Sequence, residues 1–383
     1  MSPMKTYDYL IIGAGSAGCN TAYFLKQSGK KVAVVDREGI AGGASGAAGA
    51  FLSPLPGKTN LYNTFVNNAL DFSIDFYQRL FPEDIDAKGV LRVKNDNFTE
   101  EKLQTNSIGH QYYSSQELQK ISENFKEIDG YFYADAAVLD PLKICKKLIE
   151  GCDFYIENVE TLTFEDGLYK VGEIKAKHIV LAQGASSSLV ELPYMKISPI
   201  FGLRIDVKTT TKIPFNIHKS ISISTNKSDG TVAIGATHQR HDNEAMTCLT
   251  TCDKCEYYVN SEEGQIQTLL SQAEELIRLE NVEVLKTYKG ARATIKSYFP
   301  VIGRAIDHEN SLKKYPSIKK GTKIPPEKLQ YHENIYVINA LGSRGFVFGP
   351  YLAKILSQNI LHADKIPQEL STEKLFYKTA RTK

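Results

Sequence analysis

The first forty residues switch between apolar and polar stretches in a way that predicts a strand, a helix and a second strand. Residues 7–12 (YDYLII) form a short apolar run, which is typical of a buried parallel strand. A helical pattern then runs through Ala22 and Leu25 to Gly29, and residues 31–36 (KVAVVD) predict the second strand. The chain therefore begins with a predicted βαβ unit.

Later segments carry patterns of other kinds. Apolar side chains at helical spacing predict an amphipathic helix with its aromatic residues in the core, through Phe65, Ala69, Phe72, Phe76 and Leu80. Alternation over residues 197–235 predicts a half-buried antiparallel sheet. Residues 334–341 (NIYVINAL) predict another apolar strand, followed by a helix that continues to Ile360. Together these patterns predict an α/β protein in which an antiparallel region is inserted.

Composition then limits the class of protein. The 383 residues include 46 Lys and Arg against 44 Asp and Glu, a formal charge of +2, and 42% of the residues are hydrophobic. This excludes a polyanion binder whose whole surface is basic, and it is typical of globular domains. The N-terminus lacks a basic segment followed by an apolar one, and no apolar run could span a bilayer. We therefore expect no membrane span, a cytoplasmic location and mostly reduced cysteines.

The turn between the first strand and the first helix reads Gly13-Ala-Gly-Ser-Ala-Gly18, and an acid, Asp36, follows Gly13 by 23 positions. In a dinucleotide fingerprint the first glycine makes the tight turn, and the second lets the backbone approach a pyrophosphate. The third glycine lets the helix pack on the strand, and the acid accepts hydrogen bonds from ribose hydroxyls. The alternative is a glycine-rich turn in another kind of α/β protein. The predicted dinucleotide contacts in this unit are Gly13, Gly15, Ser16, Gly18, Asp36 and Arg37.

A second segment of small residues distinguishes between dinucleotides. Residues 41–50 (AGGASGAAGA) contain only Gly, Ala and one Ser, which suits close backbone approach to a large ligand. An extended FAD would use such a segment, whereas a dehydrogenase that binds only NAD has no need of it. The alternative is a flexible loop. The predicted contacts here are Gly43, Ala44, Ser45 and Gly46.

Several segments together resemble the FAD-dependent oxidoreductases related to D-amino acid oxidase and glycine oxidase. They are residues 13–18 with Asp36, 43–49, 179–185 (IVLAQGA) and 342–345 (GSRG). The resemblance implies FAD as cofactor and a fold with a Rossmann-type FAD-binding domain and an inserted antiparallel-sheet substrate domain. It also implies further FAD contacts, with an ordinary surface arginine as the alternative for Arg344: Val159, Ala182, Gly184, Gly342, Ser343, Arg344, Gly345 and Phe346.

The same resemblance divides the chain into five segments. The FAD-binding domain is expected to comprise residues 1–85, 131–196 and 290–383. The substrate domain is expected to comprise residues 86–130 and 197–289. Neighbours in space are therefore expected to be distant in sequence.

Residues 290–293 (GARA) and 299–303 (FPVIG) are similar to the stretch in which this family carries a substrate-binding arginine. A planar guanidinium binds a carboxylate through two parallel hydrogen bonds and fixes its orientation. Arg292 is therefore predicted to hold a substrate carboxylate, with a structural ion pair as the alternative. Tyr298 is a candidate pocket residue or, equally, a core tyrosine. The implied reaction is hydride transfer from a carbon that bears nitrogen to the flavin, followed by hydrolysis of the imine.

A narrower resemblance concerns the substrate. Residues 300–303, the insertion after them, ALGSRGF before the final helix and the tail LSTEKLFYKTART resemble one branch of the family. That branch is the oxidoreductase domain of the bifunctional enzyme that makes 5-methylaminomethyl-2-thiouridine in tRNA. It implies oxidation of the carboxymethylaminomethyl group on wobble uridine. The alternative is a free D-amino acid, glycine or a sarcosine-like amine, and in either case a separate electron acceptor, oxygen or a carrier, is expected.

A lysine-rich insertion follows the predicted arginine stretch. Its only acid is Glu327, and its lysines are Lys313, Lys314, Lys319, Lys320, Lys323 and Lys328. Such a group could contact tRNA phosphates. A solvated loop is the other interpretation, since arginines and stacking aromatics are absent from it.

Three of the six cysteines form a second group in the middle of the chain. Cys248, Cys252 and Cys255 follow His238 and His241 within a short stretch. Three thiolates and an imidazole are acceptable zinc ligands, and the spacing would also suit an iron–sulfur cluster. A zinc site normally shows two separated pairs of ligands, so we expect reduced thiols and no metal.

Overall fold

A computed structural model describes residues 5–94, 108–186, 188–240 and 262–381. The chain forms two compact units. The first unit comprises Met1–Gly42, Cys145–Pro199 and Arg292–Lys383. The second unit comprises Gly43–Ile144 and Ile200–Ala291.

The helices of the described residues are α1 (Ser16–Gln27), α2 (Ala44–Ala47), α3 (Leu61–Leu80), α4 (Ser115–Ile121), α5 (Pro141–Leu148), α6 (Glu262–Glu274), α7 (His308–Lys314), α8 (Gly345–His362) and α9 (Thr372–Ala380). The strands of the first half are β1 (Lys5–Ile12), β2 (Val32–Asp36), β3 (Phe51–Leu52), β4 (Ile85–Asp86), β5 (Val90–Val93), β6 (Gln111–Tyr113), β7 (Gly130–Tyr133), β8 (Ala137–Leu139), β9 (Asp153–Ile156), β10 (Thr163–Glu165), β11 (Leu168–Val171) and β12 (Ile174–Leu181). Those of the second half are β13 (Ser198–Lys208), β14 (Asn216–His218), β15 (Ser222–Ile223), β16 (Thr231–Gly235), β17 (Gln239–Arg240), β18 (Glu283–Thr294), β19 (Val301–Ile306) and β20 (Tyr331–Asn339).

The first unit is built on a parallel sheet whose strands lie in the order β9-β2-β1-β12-β20. Strand β19 adds to β20 in the antiparallel direction, and β10 and β11 form a hairpin on the start of β12. The carboxyl-terminal parts of β1 and β12 are apolar and buried, whereas each strand also carries an exposed lysine, Lys5 and Lys177. The last four residues of β1, 9–12, are all buried. The predicted Rossmann-type α/β arrangement is confirmed.

The register of this sheet sets where ligand-binding loops lie. Ile12 at the end of β1 is paired with Val35 of β2 and Leu181 of β12. The carboxyl ends of these strands therefore meet at one edge, which is where open α/β sheets bind their ligands.

The second unit is built on a largely antiparallel sheet in the order β17-β13-β16-β15-β14-β5-β7-β6, with β18 paired to β13. One face of β13 packs Leu203, Ile205 and Val207 into the core of this unit. The prediction of a half-buried sheet is wrong for this strand, because Arg204 and Asp206 on its other face are buried too. A small sheet, β3-β8-β4, completes the unit among the described residues.

Helix α3 forms where the helical spacing predicted it, but its buried face is rotated from the predicted one. Phe76 and Ala69 are buried as expected, whereas Phe65 and Phe72 are only half-buried. Val66 and Tyr77 take their places in the core. Position along the helix, rather than side-chain size, decides which residues face inward.

None of the helices in the described ranges is both long and apolar enough to cross a bilayer. The whole of α3 belongs to the second unit, whereas the sequence-based division assigned residues 1–85 to the FAD-binding domain. That functional division stays a prediction.

Candidate functional site

The glycine-rich loop lies at the carboxyl edge of the parallel sheet. The amide of Gly13 donates to the carbonyl of Val35 at 2.8 Å, and the amide of Ala182 donates to the carbonyl of Ile12 at 2.8 Å. Gly13 has a φ of +111°, and a Cβ at this position would overlap the carbonyl of Ala182. Only glycine fits there, so the tight turn predicted from the sequence has a steric cause.

Helix α1 leaves this loop with its N-terminal amides available to a ligand. Gly15 precedes the helix without a capping side chain, and the first turn carries no acid. A Cβ on Gly18 would overlap the carbonyl oxygen of Gly13, so a larger residue would push the helix from the loop. Backbone amides at a helix start favour phosphate. The loop and helix therefore fit a dinucleotide pyrophosphate.

Asp36 ends β2 with its carboxylate held in place. Its oxygens accept hydrogen bonds from the amides of Ala14 at 2.7 Å and Glu38 at 2.8 Å. Each carboxylate oxygen can accept further hydrogen bonds, which matches the expected contact with ribose hydroxyls. Val159 is half-buried shortly after β9, whose Ile156 is paired with Asp36. Both residues thus lie at the same edge.

Arg37, next to Asp36, is engaged with neighbouring side chains. Its Nε lies 3.3 Å from the carboxylate of Glu38, and one terminal nitrogen donates to Ser186 at 3.2 Å.

Cys19 in α1 directs its thiol to the carbonyl of Ala14 at 3.2 Å. Burial raises the pKa of the Cys19 thiol, so this cysteine stays protonated beneath the loop.

The GSRG segment follows β20 and comes to the same edge. Asn339, the last residue of β20, donates from its side-chain amide nitrogen to the carbonyl of Gly184 at 3.0 Å. The Ser16 hydroxyl donates to the carbonyl of Gly345 at 2.8 Å, which ties the start of α1 to the start of α8. The sequence therefore predicted separately two segments that lie together.

The close packing of α1 on α8 depends on one further glycine. A Cβ on Gly349 would lie 2.5 Å from the hydroxyl oxygen of Ser16. Among the other residues predicted here, Ser343 is exposed, Arg344 is half-buried and Phe346 is buried. The Ser16 side chain is itself buried, so its hydroxyl joins protein segments and its backbone amide is the group that remains for a phosphate.

Arg292 lies near the end of β18, on the same face of the strand as Thr294. A Cβ on Gly342 would lie 3.7 Å from the methyl group of Thr294, and the Thr294 hydroxyl donates to the carbonyl of Ser198 at 2.6 Å. The predicted carboxylate-binding arginine is therefore two residues from a side chain that lies beside the GSRG segment.

Tyr298 occupies the turn between β18 and β19. Its side chain is 74% exposed, so it is not a core tyrosine. Its φ of +60° is uncommon for a residue with a side chain, and its amide donates to the carbonyl of Ile295 at 3.1 Å. Unusual backbone conformations of this kind are concentrated at functional sites. Tyr298 stays a predicted pocket residue.

Gly43, Ala44, Ser45 and Gly46 belong to the second unit, where three of them lie in the short helix α2. Ala44 packs against β18, since a Cβ on Gly290 would lie 2.7 Å from the Cα atom of Ala44. A Cβ on Gly43 would meet open space. The close approach of this segment to β18 therefore depends on Gly290 of that strand, as well as on the small residues of the segment itself.

A buried charged cluster in the second unit was missed by the sequence analysis. The Arg204 guanidinium donates to the carbonyl of Ala48 at 2.6 Å, lies 3.4 Å from the carboxylate of Asp206 and stacks 3.9 Å from the ring of Tyr288. Burial, followed by the nearby Asp206 charge, raises the pKa of the Tyr288 hydroxyl. The available signal was an arginine and an aspartate in an otherwise apolar strand (FGLRIDV). This cluster holds the end of the small-residue segment.

The candidate metal-binding group of cysteines and histidines lies mostly outside the described residues. Within the described ranges, no three His, Cys, Asp or Glu side chains are grouped so that they could hold a metal ion. His238 is exposed. The other residues of the candidate group, His241, Cys248, Cys252 and Cys255, lie outside the described residues.

Comparison with known proteins matches residues 8–359 to the DAO family, described as FAD dependent oxidoreductases. Among curated proteins, the tRNA 5-methylaminomethyl-2-thiouridine biosynthesis bifunctional protein MnmC of Shewanella amazonensis is 28% identical over 94% of this chain and 57% of its own length. The protein of the same name from Campylobacter concisus is 27% identical over 88% of this chain and 53% of its own. This chain thus spans about half the length of those relatives.

Solved structures share the fold over nearly their whole length. Glycine oxidase from Bacillus cereus has a TM-score of 0.71 and 19% identity, covering 94% of this chain and 96% of its own. Iminodiacetate oxidase from Chelativorans sp. BNC1 has a TM-score of 0.69 and 16% identity, covering 94% and 97%. At these identities the likeness concerns the fold.

Proposed function

Because this chain belongs to the DAO family of FAD-dependent oxidoreductases, we propose that it oxidises the carbon–nitrogen bond of the carboxymethylaminomethyl group on the wobble uridine of tRNA. The observation that carries this substrate is the match of about nine-tenths of the chain to two proteins named for tRNA 5-methylaminomethyl-2-thiouridine biosynthesis. The family accounts for the cofactor and for the class of reaction.

The cofactor is held, in this proposal, by backbone groups at the carboxyl edge of the first unit. The amides around Gly15 and Ser16 receive the pyrophosphate, and Asp36 receives a ribose. FAD, when bound, supplies the acceptor for a hydride. The steric fit at Gly13 and Gly18 supports this assignment, because those positions leave room for nothing larger than hydrogen.

Arg292 binds the substrate carboxylate in this proposal. The proximity of Thr294 to Gly342 supports this role, since it puts the arginine's strand beside the GSRG segment. A bidentate contact at the carboxylate fixes the adjacent carbon, so the C–H bond is held in one orientation. The substrate carbon loses a hydride and the nitrogen loses a proton to solvent. Water then hydrolyses the resulting imine to an amine and a two-carbon aldehyde acid.

A free amino acid or N-substituted glycine is the second candidate substrate. The glycine oxidase and iminodiacetate oxidase structures match over nearly their full length, whereas the curated relatives match over about half of theirs. The same arginine would bind either substrate, because both carry a carboxylate next to the C–N bond.

Anaerobic reduction of the bound flavin distinguishes these candidates. The FAD-loaded protein is mixed with tRNA that carries the carboxymethylaminomethyl group, with an unmodified transcript of the same tRNA, or with glycine, sarcosine or iminodiacetate. We expect rapid bleaching of the flavin absorbance with the modified tRNA alone. Bleaching by a small amine and by neither RNA would contradict the tRNA substrate. Admission of air, with peroxide measured, tests oxygen as the electron acceptor.

A further inference from the structure

The lysine-rich insertion has a larger net positive charge than the chain as a whole. Residues 313–328 contain six lysines and a single acid, so this window has a net charge of +5, whereas the complete chain has +2. Its lysines 313, 314, 319, 320, 323 and 328 are all exposed. A charge excess of this size at one place raises the local concentration of anionic ligands.

The fold adds a cation from a distant part of the chain. After the 3₁₀ helix Pro316–Lys320, Gly321 turns with a φ of +96°, and a Cβ there would lie 3.7 Å from Nε of Arg381. Lys319, Lys320, Gly321 and Arg381 line one open depression in the first unit. Within the described residues, neither Lys320 nor Arg381 forms an ion pair. Two cations without an ion-pair partner in the described part of the chain thus line one depression.

The backbone beneath these cations is anchored on both sides. Ile318 and Phe376 are buried in the core of the first unit. The Tyr377 hydroxyl accepts from the amide of Ile324 at 3.0 Å and donates to the carbonyl of the same residue. These contacts fix the backbone that carries the cations, which lowers the entropy lost when a ligand binds to them.

Opposite ends of β20 separate this depression from the predicted dinucleotide edge. Tyr331 begins the strand, and its hydroxyl lies 3.0 Å from the carbonyl of Pro326 in the insertion. Asn339 ends the strand at Gly184. At about 3.3 Å per residue the two ends are roughly 26 Å apart. A free amino acid cannot reach both places, but a polynucleotide can.

We propose that Lys319, Lys320 and Arg381 form a binding site for phosphodiester groups of RNA. This inference rests on the proposed tRNA substrate, and it adds contacts several nucleotides from the reacting uridine. Lysine and arginine contacts to phosphates supply affinity without reading sequence. The depression therefore holds the tRNA body, and base recognition belongs elsewhere.

The test compares RNA binding by two doubly reversed variants. Lys320→Glu with Arg381→Glu changes the depression, and Lys196→Glu with Lys365→Glu makes the same change of charge at two other exposed lysines of the first unit. The dissociation constant of FAD-loaded protein for tRNA is measured by fluorescence anisotropy between 50 and 200 mM salt. We expect the first variant to bind at least tenfold more weakly, with a salt slope lower by about 1.5. The second should stay within about twofold of the parent, since a nonspecific effect of net charge would weaken both variants equally.

Separate outcomes test the site and the proposed substrate. If modified tRNA bleaches the parent's flavin but the first variant binds RNA like the parent, the site is wrong and the substrate stands. If the parent binds no tRNA, the site and the tRNA substrate are both wrong. Displacement of tRNA from the parent by low concentrations of pyrophosphate would assign the depression to a small phosphorylated compound and would overturn the RNA assignment.

Discussion

The two ends of the parallel sheet in the first unit are built in opposite ways. At the carboxyl edge, Gly13 and Gly18 work through the absence of a side chain, and the groups offered to a ligand are backbone amides. At the other end, the exposed side chains of Lys320 and Arg381 line a depression, and the Tyr377 hydroxyl holds the backbone of the insertion at Ile324.

This difference determines how each end tolerates change. A site made of backbone amides loses its ligand when one side-chain atom is added, because the packed backbone around it has no room for that atom. A site of exposed cations weakens gradually, because each phosphate contact adds a modest and largely independent amount. The following substitutions test that contrast, beginning with the largest expected effect.

Replacing Gly18 with alanine should abolish FAD binding. The added Cβ would overlap the carbonyl of Gly13, and neither backbone segment can yield without moving α1. We expect purified protein without flavin absorbance and at least a hundredfold loss of FAD affinity in reconstitution. Gly264→Ala is the control, because a Cβ there meets no other atom. Retention of yellow colour in the Gly18 variant would contradict the claim that only glycine fits at this position.

Replacing Arg292 with alanine should separate catalysis from cofactor binding. Loss of the carboxylate contact leaves the substrate poorly oriented, so kcat/KM should fall by roughly two to four orders of magnitude. The flavin spectrum should be unchanged. Arg292→Lys keeps the charge without the planar fork and should recover only part of the activity. Steady-state kinetics on the substrate identified by flavin bleaching decide the matter, and parental kinetics in the alanine variant would refute the assignment.

Replacing Tyr377 with phenylalanine should weaken the anchored insertion without unfolding the protein. The variant leaves the amide and carbonyl of Ile324 without their partner, which costs about 1 kcal/mol. We expect a melting temperature lower by a few degrees and a small rise in the tRNA dissociation constant. Tyr315→Phe is the control, since the hydroxyl of Tyr315 forms no hydrogen bond within the described part of the chain. Equal effects of the two changes would argue against the anchoring role.

Replacing His178 with glutamine should flatten the pH dependence of stability. Burial lowers the pKa of His178, which stacks 4.8 Å from the ring of Tyr9. Below the ordinary histidine pKa the unfolded chain therefore binds more protons than the folded one. The free energy of unfolding is highest above that pKa and falls as the pH drops through the lowered pKa of the folded state. His308 has the same direction of shift and should retain part of the slope. Denaturant unfolding between pH 5 and 8 should show a flatter profile for the variant, and an unchanged slope would contradict the assignment.

The sequence predicted best those features that depend on spacing along the chain. The fingerprint from Gly13 to Asp36 was visible because a strand, a turn and a helix follow one another locally. The α/β class followed from the same local patterns and is confirmed. The assignment of individual FAD contacts stays a prediction.

Features that depend on distant partners were not predictable. Arg204 is buried because Asp206, Tyr288 and the carbonyl of Ala48 meet it, and the last of these is 156 positions away. Arg381 joins Lys320 only through the packing of α9 on the insertion. Patterns in sequence report which face is apolar, but the partner that covers a buried charge depends on tertiary structure.

The hydrogen bond from Ser16 to Gly345 also bears on the order of events during synthesis. The two residues are separated by 329 positions, so the ribosome makes the glycine-rich loop long before the segment that covers it. A nascent chain that has folded only its first βαβ unit lacks the start of α8. The completed dinucleotide edge can therefore form only after the segment that begins α8 has been made, so FAD loading has to wait for residues more than 300 positions beyond the glycine-rich loop.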